Sequence, residues 1–190
     1  MKNILIISAS VRTGRKSNRV AAYFNKKLTE KDVAVSIVDL KEYDFPLFHE
    51  RLKFLDDPQP NLVDYAQKVS TADGILIVTP EYNGGMPSSL KNAIDVLNNE
   101  WKGKPVALVS VSNGNFGGSQ VLTSLLFSLW KMGTWVVPAS FQVPNIERSF
   151  DEAGTPADAE GTNKRADAFL EKFYWHIEAN SRMKSAGENH

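Results

Sequence analysis

Three short polar stretches hold most of the residues able to do chemistry. The first to stand out runs from Thr79 to Leu97, TPEYNGGMPSSLKNAIDVL. It follows the apolar run Gly74-Ile75-Leu76-Ile77-Val78, crosses a turn rich in Gly, Asn and Pro, and then shows helical spacing at Leu90, Ile94 and Leu97. That pattern predicts strand, loop, helix. In an open parallel sheet such a loop lies at the carboxyl end of a strand, where ligands of these folds bind. Pro80 and Pro87 stiffen its ends, while Gly84 and Gly85 let the backbone approach a ligand. The loop suits something flat or phosphorylated. The same composition is also ordinary turn chemistry, so spacing alone leaves a structural role open.

The second stretch is Ser8-Ala9-Ser10-Val11-Arg12-Thr13-Gly14-Arg15-Lys16-Ser17-Asn18, behind the apolar run Ile4-Leu5-Ile6-Ile7. A helix should follow, with Val20, Ala21, Phe24 and Leu28 inward and Ser17 as its cap. Hydroxyls and arginines at a helix N-terminus form a phosphate site in physical terms, because free N–H groups and the positive dipole end face the anion. A solvated loop with its cations in water is the bland alternative. The turn has no G-x-G-x-x-G and no G-x-x-x-x-G-K-[ST], which argues against a dinucleotide-binding first turn and a P-loop. It also lacks the acidic pair of a phospho-accepting receiver. The third stretch, Ser112-Asn113-Gly114-Asn115-Phe116-Gly117-Gly118-Ser119, again follows a strand and precedes a helix.

These loops need elements to position them. Strands are expected at 4–7, 33–39, 73–78, 106–111 and from Trp135 to Pro138, with an irregular continuation over 141–150. Helices are expected after Ser17, from Asn61 to Thr71 with Asn61 capping, through Leu90, through Val121 to Leu129, and from about Asn163 to Asn180. Leu40 to Pro60 reads as a long irregular segment, with Phe45-Pro46-Leu47-Phe48 as a hydrophobic clamp and His49 on the surface. Ser181 to His190 reads as a disordered tail. Strand and helix alternate throughout, giving one doubly wound α/β domain over residues 1–180. The loops after strands one, three and four would then converge at one sheet edge.

Composition narrows the function. The 190 residues suffice for a full core, and 42% hydrophobic with 23% charged residues is the balance of a soluble globular chain. With 22 basic and 22 acidic residues there is no global electrostatic case for nucleic acid or an anionic membrane. No cysteine occurs, which removes disulfides, thiolate metal sites and cysteine nucleophiles. The apolar start is too short for a signal-peptide core, and no run approaches a membrane span. A cytoplasmic protein is the expectation.

Pro80-Glu81-Tyr82-Asn83, then Pro87, then Leu90-Lys91-Asn92-Ala93-Ile94-Asp95 resembles the signature of the NAD(P)H-dependent FMN reductases, a flavodoxin-like family that includes quinone, azo and chromate reductases. The resemblance extends from Ile4 to about Phe173, with its specific motifs in two places. It implies a five-stranded parallel sheet of order 2-1-3-4-5 in a three-layer α/β/α fold. In the family the first turn resembles Ser-x-Arg followed by further Ser, Asn or Arg and holds the FMN phosphate. By that resemblance Ser10, Arg12, Arg15 and Ser17 carry over, with Asn18 through its backbone. The flavin ring would meet Pro80, Glu81, Tyr82, Asn83 and Gly84 on one side and Ser112 and Asn113 on the other, with loop geometry or a subunit contact as the alternative task for Glu81. NADPH or NADH would be the co-substrate and a quinone-like small molecule the acceptor, with no obligatory catalytic acid or base. Family members commonly form homodimers or homotetramers, for which Trp101, Trp130 and Trp135 are candidate contacts. The rival readings are a flavodoxin-type electron carrier, whose usual acidity is missing here, and a non-enzymatic FMN-binding or scaffold module.

Overall fold

Continuous apolar strands in a parallel sheet need cover on both faces. The structure, a computed structural model describing residues 1–187, supplies it with helices on each side. The strands are β1 (Lys2–Ser8), β2 (Val33–Asp39), β3 (Gly74–Pro80), β4 (Pro105–Val111) and β5 (Trp135–Val143). They pair in the order β2-β1-β3-β4-β5, every pair parallel, which is the flavodoxin-like arrangement implied by the resemblance. The helices are α1 (Ser17–Thr29), α2 (Leu40–Tyr43), α3 (Pro60–Thr71), α4 (Ser88–Asp95), α5 (Ser119–Lys131), α6 (Ile146–Ser149) and α7 (Ala159–Gly187).

The alternation of side chains along each strand divides the core in two. Ile4, Ile6, Leu76, Val78, Ala107 and Val109 face α1 and α7, packing on Val20, Phe24, Phe169 and Phe173. Leu5, Ile7, Ile75, Ile77, Val106 and Leu108 face α3, α4 and α5, packing on Tyr65, Val69, Leu90, Ile94 and Leu125. Every strand is parallel, so all five carboxyl ends reach one edge, and the chain reverses its direction of travel between β1 and β3. That is the switch point where such sheets bind ligands.

Several boundaries differ from the sequence reading. β5 starts at Trp135 as expected, but its continuation past Pro138 is regular strand as far as Val143, across a shift in register against β4. As the edge strand it tolerates a proline and a bulge. Ser17 is not a cap but the first residue of α1, whose cap position is Lys16. Asn61 does not cap α3, which starts on Pro60; its amide donates to the Tyr43 carbonyl instead. The segment after β2 is less irregular than expected. Asp39 caps α2, and a 3-10 turn spans Leu52–Phe54. Asn92 of α4 clamps the stretch between them, donating to the Pro46 carbonyl at 2.8 Å and accepting from the Phe48 amide.

The disordered tail expected from Ser181 is also corrected, because α7 runs on to Gly187. No glycine or proline interrupts residues 181–186, Arg182 pairs with Glu178 one turn back at 2.7 Å, and Lys2 donates to the Ser181 hydroxyl at 2.7 Å. Good helix formers with such tethers continue a helix. Residues 188–190 of the expected tail lie outside the described residues.

Candidate functional site

The loops after β1, β3 and β4 meet in a cleft of about 350 Å³ at the carboxyl edge of the sheet. One end is built on the start of α1. No side chain caps that helix and no acidic residue stands in its first turn, so its leading N–H groups and positive dipole end remain available. The Ser17 hydroxyl lines this end, only 3% of the residue is exposed, and it has no hydrogen-bond partner among the described residues. A buried hydroxyl without a partner at a helix N-terminus suits an anionic oxygen.

Three cations stand around it. Arg15 is held from behind in a bidentate pair with Asp39, and also donates to the Ser10 carbonyl at 2.7 Å. Lys16 pairs with Glu147 of α6 across the cleft mouth, and its ammonium holds the Glu147 carboxyl below the usual carboxylate range. Among the described residues Arg12 alone of the three has no carboxylate partner. Its guanidinium lies over the Tyr82 ring, 5.4 Å from the centroid.

The other end is formed by the turns after β3 and β4. Tyr82 and Gly85 exchange two backbone hydrogen bonds of 3.0 Å around Asn83 (φ 51°) and Gly84 (φ 77°). Both central residues have positive φ, as an Asn-Gly type I′ turn requires. The turn directs the Tyr82 hydroxyl back to the Ser10 hydroxyl, 2.7 Å away. Glu81 points elsewhere: its carboxylate accepts from the amides of Gln120 and Val121 at 2.8 and 3.1 Å, capping α5 from a distant loop. Gly118, at the cap position, offers no side chain for this. Val111 and Ile146 give the cleft apolar walls, with Ser112 and Asn113 between them.

Ser10, Arg12, Arg15, Ser17, Pro80, Glu81, Tyr82, Ser112 and Asn113 thus all border one cleft, as their motifs suggested. Asn18, Asn83 and Gly84 do not line it. Asn18 is the second residue of α1, and Asn83 with Gly84 forms the tip of the hairpin turn. Gly14, Lys16, Val111, Ile146 and Glu147 line the cleft without having been singled out. The first three lie inside or beside stretches that the sequence marked. Ile146 and Glu147 sit on a four-residue helix with no periodic signal to read. Among the described residues no group of three or more His, Cys, Asp or Glu could hold a metal, and no helix is long and apolar enough to cross a membrane.

The capping role of Glu81 predicts that Glu81→Ala lowers unfolding stability by about 1 kcal/mol, the usual worth of an N-cap, while Glu81→Gln, which keeps an acceptor, loses less. Urea unfolding of both variants checks this. Equal stability of the alanine variant and the parent would rule the capping role out.

Comparison with known proteins agrees with this geometry. The chain is 31% identical over 191 residues to a quinone reductase of Pseudomonas putida, covering 95% of this chain and 98% of that protein. It is 35% identical over 129 residues to an NAD(P)H-dependent FMN reductase of Saccharomyces cerevisiae, covering 60% and 66% of the two chains. Among solved structures it matches the flavoenzyme NAD(P)H:(acceptor) oxidoreductase FerB of Paracoccus denitrificans with a TM-score of 0.79 at 26% identity, over 95% of this chain and 99% of that one. Residues 2–148 match the family model described as NADPH-dependent FMN reductase. Strand order, cleft and signature loop therefore have one common explanation: the chain belongs to the NADPH-dependent FMN reductase family.

Proposed function

We propose that this chain is a cytoplasmic FMN-dependent NAD(P)H oxidoreductase acting on quinone-like or other small electron acceptors. One observation carries the reading. A single cleft joins an anion-seeking end, with the Arg12 cation and the Ser17 hydroxyl at the start of α1 both without a polar partner among the described residues, to an end walled by Tyr82, Val111 and Ile146. A small molecule with one phosphate and one large flat ring matches both ends. The quinone reductase and FMN reductase relatives support it.

Arg12, Ser17, Ser10 and the backbone at Asn18 would hold the phosphate, with Arg15 shaping the loop from behind. Pro80, Glu81 and Tyr82 would border the ring on one side and Ser112 and Asn113 on the other. Asn83 and Gly84 set the turn that carries Tyr82. Bound there, FMN would supply the redox chemistry between NADPH or NADH as hydride donor and a two-electron acceptor. The protein's own contribution is to orient the ring, keep water from its apolar side and leave an exposed face for two substrates in turn. No side chain is assigned a proton-transfer step.

The same reading takes residues 1–180 as one folding unit and includes a homodimer or homotetramer. The exposed Phe127 and Trp130 rings, 5.9 Å apart on α5, support self-association, whereas Trp101 is fully buried in the core. A monomer mass by sedimentation would remove that part. Anaerobic addition of NADPH or NADH to the flavin-loaded protein tests the whole, the expected result being rapid bleaching of the flavin absorbance. A flavin left oxidised by both nucleotides would indicate an electron carrier instead. A colourless protein whose melting temperature is unmoved by FMN would remove the cofactor, since a ligand of the folded state must raise it.

A further inference from the structure

We propose that Asp39 is a positioning residue for the phosphate end of the cleft, acting through Arg15. The proposal rests on the FMN reading above and concerns a residue that the cleft does not contain. Asp39 is the last residue of β2, in register with Ser8 of β1, so the sheet fixes its backbone. Its carboxylate also accepts from the Lys41 amide at 3.1 Å, which fixes the side chain. Both carboxylate oxygens receive the Arg15 guanidinium, Nη2 at 2.7 Å, and the two side chains are only 11% and 22% exposed.

The planar fork of an arginine fits a carboxylate in one orientation. That orientation brings Nη1 onto the Ser10 carbonyl at 2.7 Å. The Arg15 amide donates to the Arg12 carbonyl at 3.2 Å, closing the turn that carries Arg12. The Ser10 hydroxyl in turn meets the Tyr82 hydroxyl. One ion pair at the end of β2 thus sets the place of Ser10 and Arg12 and, through Ser10, of Tyr82. Asp39 also neutralises Arg15, which therefore contributes shape rather than charge to the anion site. Glu42, 3.9 Å from Nη2 and mostly exposed, adds little.

The test is a set of dissociation constants for FMN and for riboflavin, which lacks the phosphate, measured on the full chain by flavin fluorescence for Asp39→Asn, Arg15→Gln and the double variant. Asparagine keeps an acceptor for the Lys41 amide and loses the charge, so it isolates the pair. Each single variant is expected to bind FMN about tenfold more weakly, because a half-buried partner is left unpaired and the loop loosens. The double variant should be about as weak as either single, since both remove one shared interaction. The preference for FMN over riboflavin should fall in all three.

FMN affinity unchanged or tighter in Asp39→Asn, with loss in Arg15→Gln, would make Arg15 a direct phosphate ligand and overturn the proposal. A lowered melting temperature with unchanged FMN affinity in both singles would make the pair merely structural, and overturn it too. Arg12→Ala serves as the control. If that variant also binds FMN as the parent does, the phosphate does not lie at this loop, and the placement of FMN fails before the role of Asp39 does.

Discussion

Replacing Arg12 with alanine is expected to weaken FMN binding by about 1 to 3 kcal/mol, the contribution of a charge-assisted contact to a phosphate. The dissociation constant should rise by about five- to 150-fold. Of the three cleft cations Arg12 has the largest expected effect, because Arg15 and Lys16 already spend their charge on Asp39 and Glu147. Folding should hardly change. Arg12 is exposed, with its guanidinium lying over the Tyr82 ring. Exposed substitutions of this kind usually stay within about 0.5 kcal/mol. Fluorescence titration with FMN and with riboflavin separates the phosphate contribution from the rest, and riboflavin affinity should be nearly unaltered. Equal FMN affinity in variant and parent would move the phosphate to another part of the molecule.

Gly117→Val is expected to act through the backbone instead. Gly117 has φ +60°, and a Cβ there would lie 3.0 Å from the Gln142 Cβ and 3.1 Å from the amide nitrogens of Val143 and Pro144. Left-handed strain in a β-branched residue and crowding against a neighbouring strand each cost about 1 to 3 kcal/mol. Together they should remove about 2 to 6 kcal/mol of stability. The displacement would also reach the cleft, since the Gly117 carbonyl accepts from the Ser110 hydroxyl at 2.8 Å and the Ser112 amide donates to Val143 at 3.0 Å. Flavin occupancy should fall with stability. Urea unfolding measures the first effect and the absorbance ratio of purified protein the second. Gly117→Ala provides a milder change of the same sign if the valine variant does not fold. Parental stability in Gly117→Ala and Gly117→Val alike would mean that the turn after β4 is not packed against β5 as described.

What could be read from the chain beforehand follows the range over which each interaction acts. Ile4-Leu5-Ile6-Ile7 and the run before Thr79 declare buried strands because the signal lies within a few consecutive residues. Asn83-Gly84 likewise announces a tight turn locally. The tasks of Glu81 and Asp39 were hidden because their partners are far along the chain, at Gln120 and Val121 for one and at Arg15 for the other. Motif resemblance assigned Arg15 to the ligand and left Glu81 between the flavin and loop geometry or a subunit contact, and the structure engages each with a protein group. The regular course of β5 past Pro138 was not legible, because its edge position and its register shift against β4 appear only in the assembled sheet. The four residues of α6 are too few for any period, so the wall formed by Ile146 and Glu147 had no local sign.

The cap that Glu81 places on α5 makes the cleft directional. Two helices, α1 and α5, follow loops that line it, and each could in principle attract a negative group with its first amides. One of those starts is already satisfied by a carboxylate of the protein itself, 39 residues earlier in sequence. A ligand bearing a single anionic terminus is therefore expected to dock one way round, tail toward α1, its polarity set by which of the two helix starts the protein has left open.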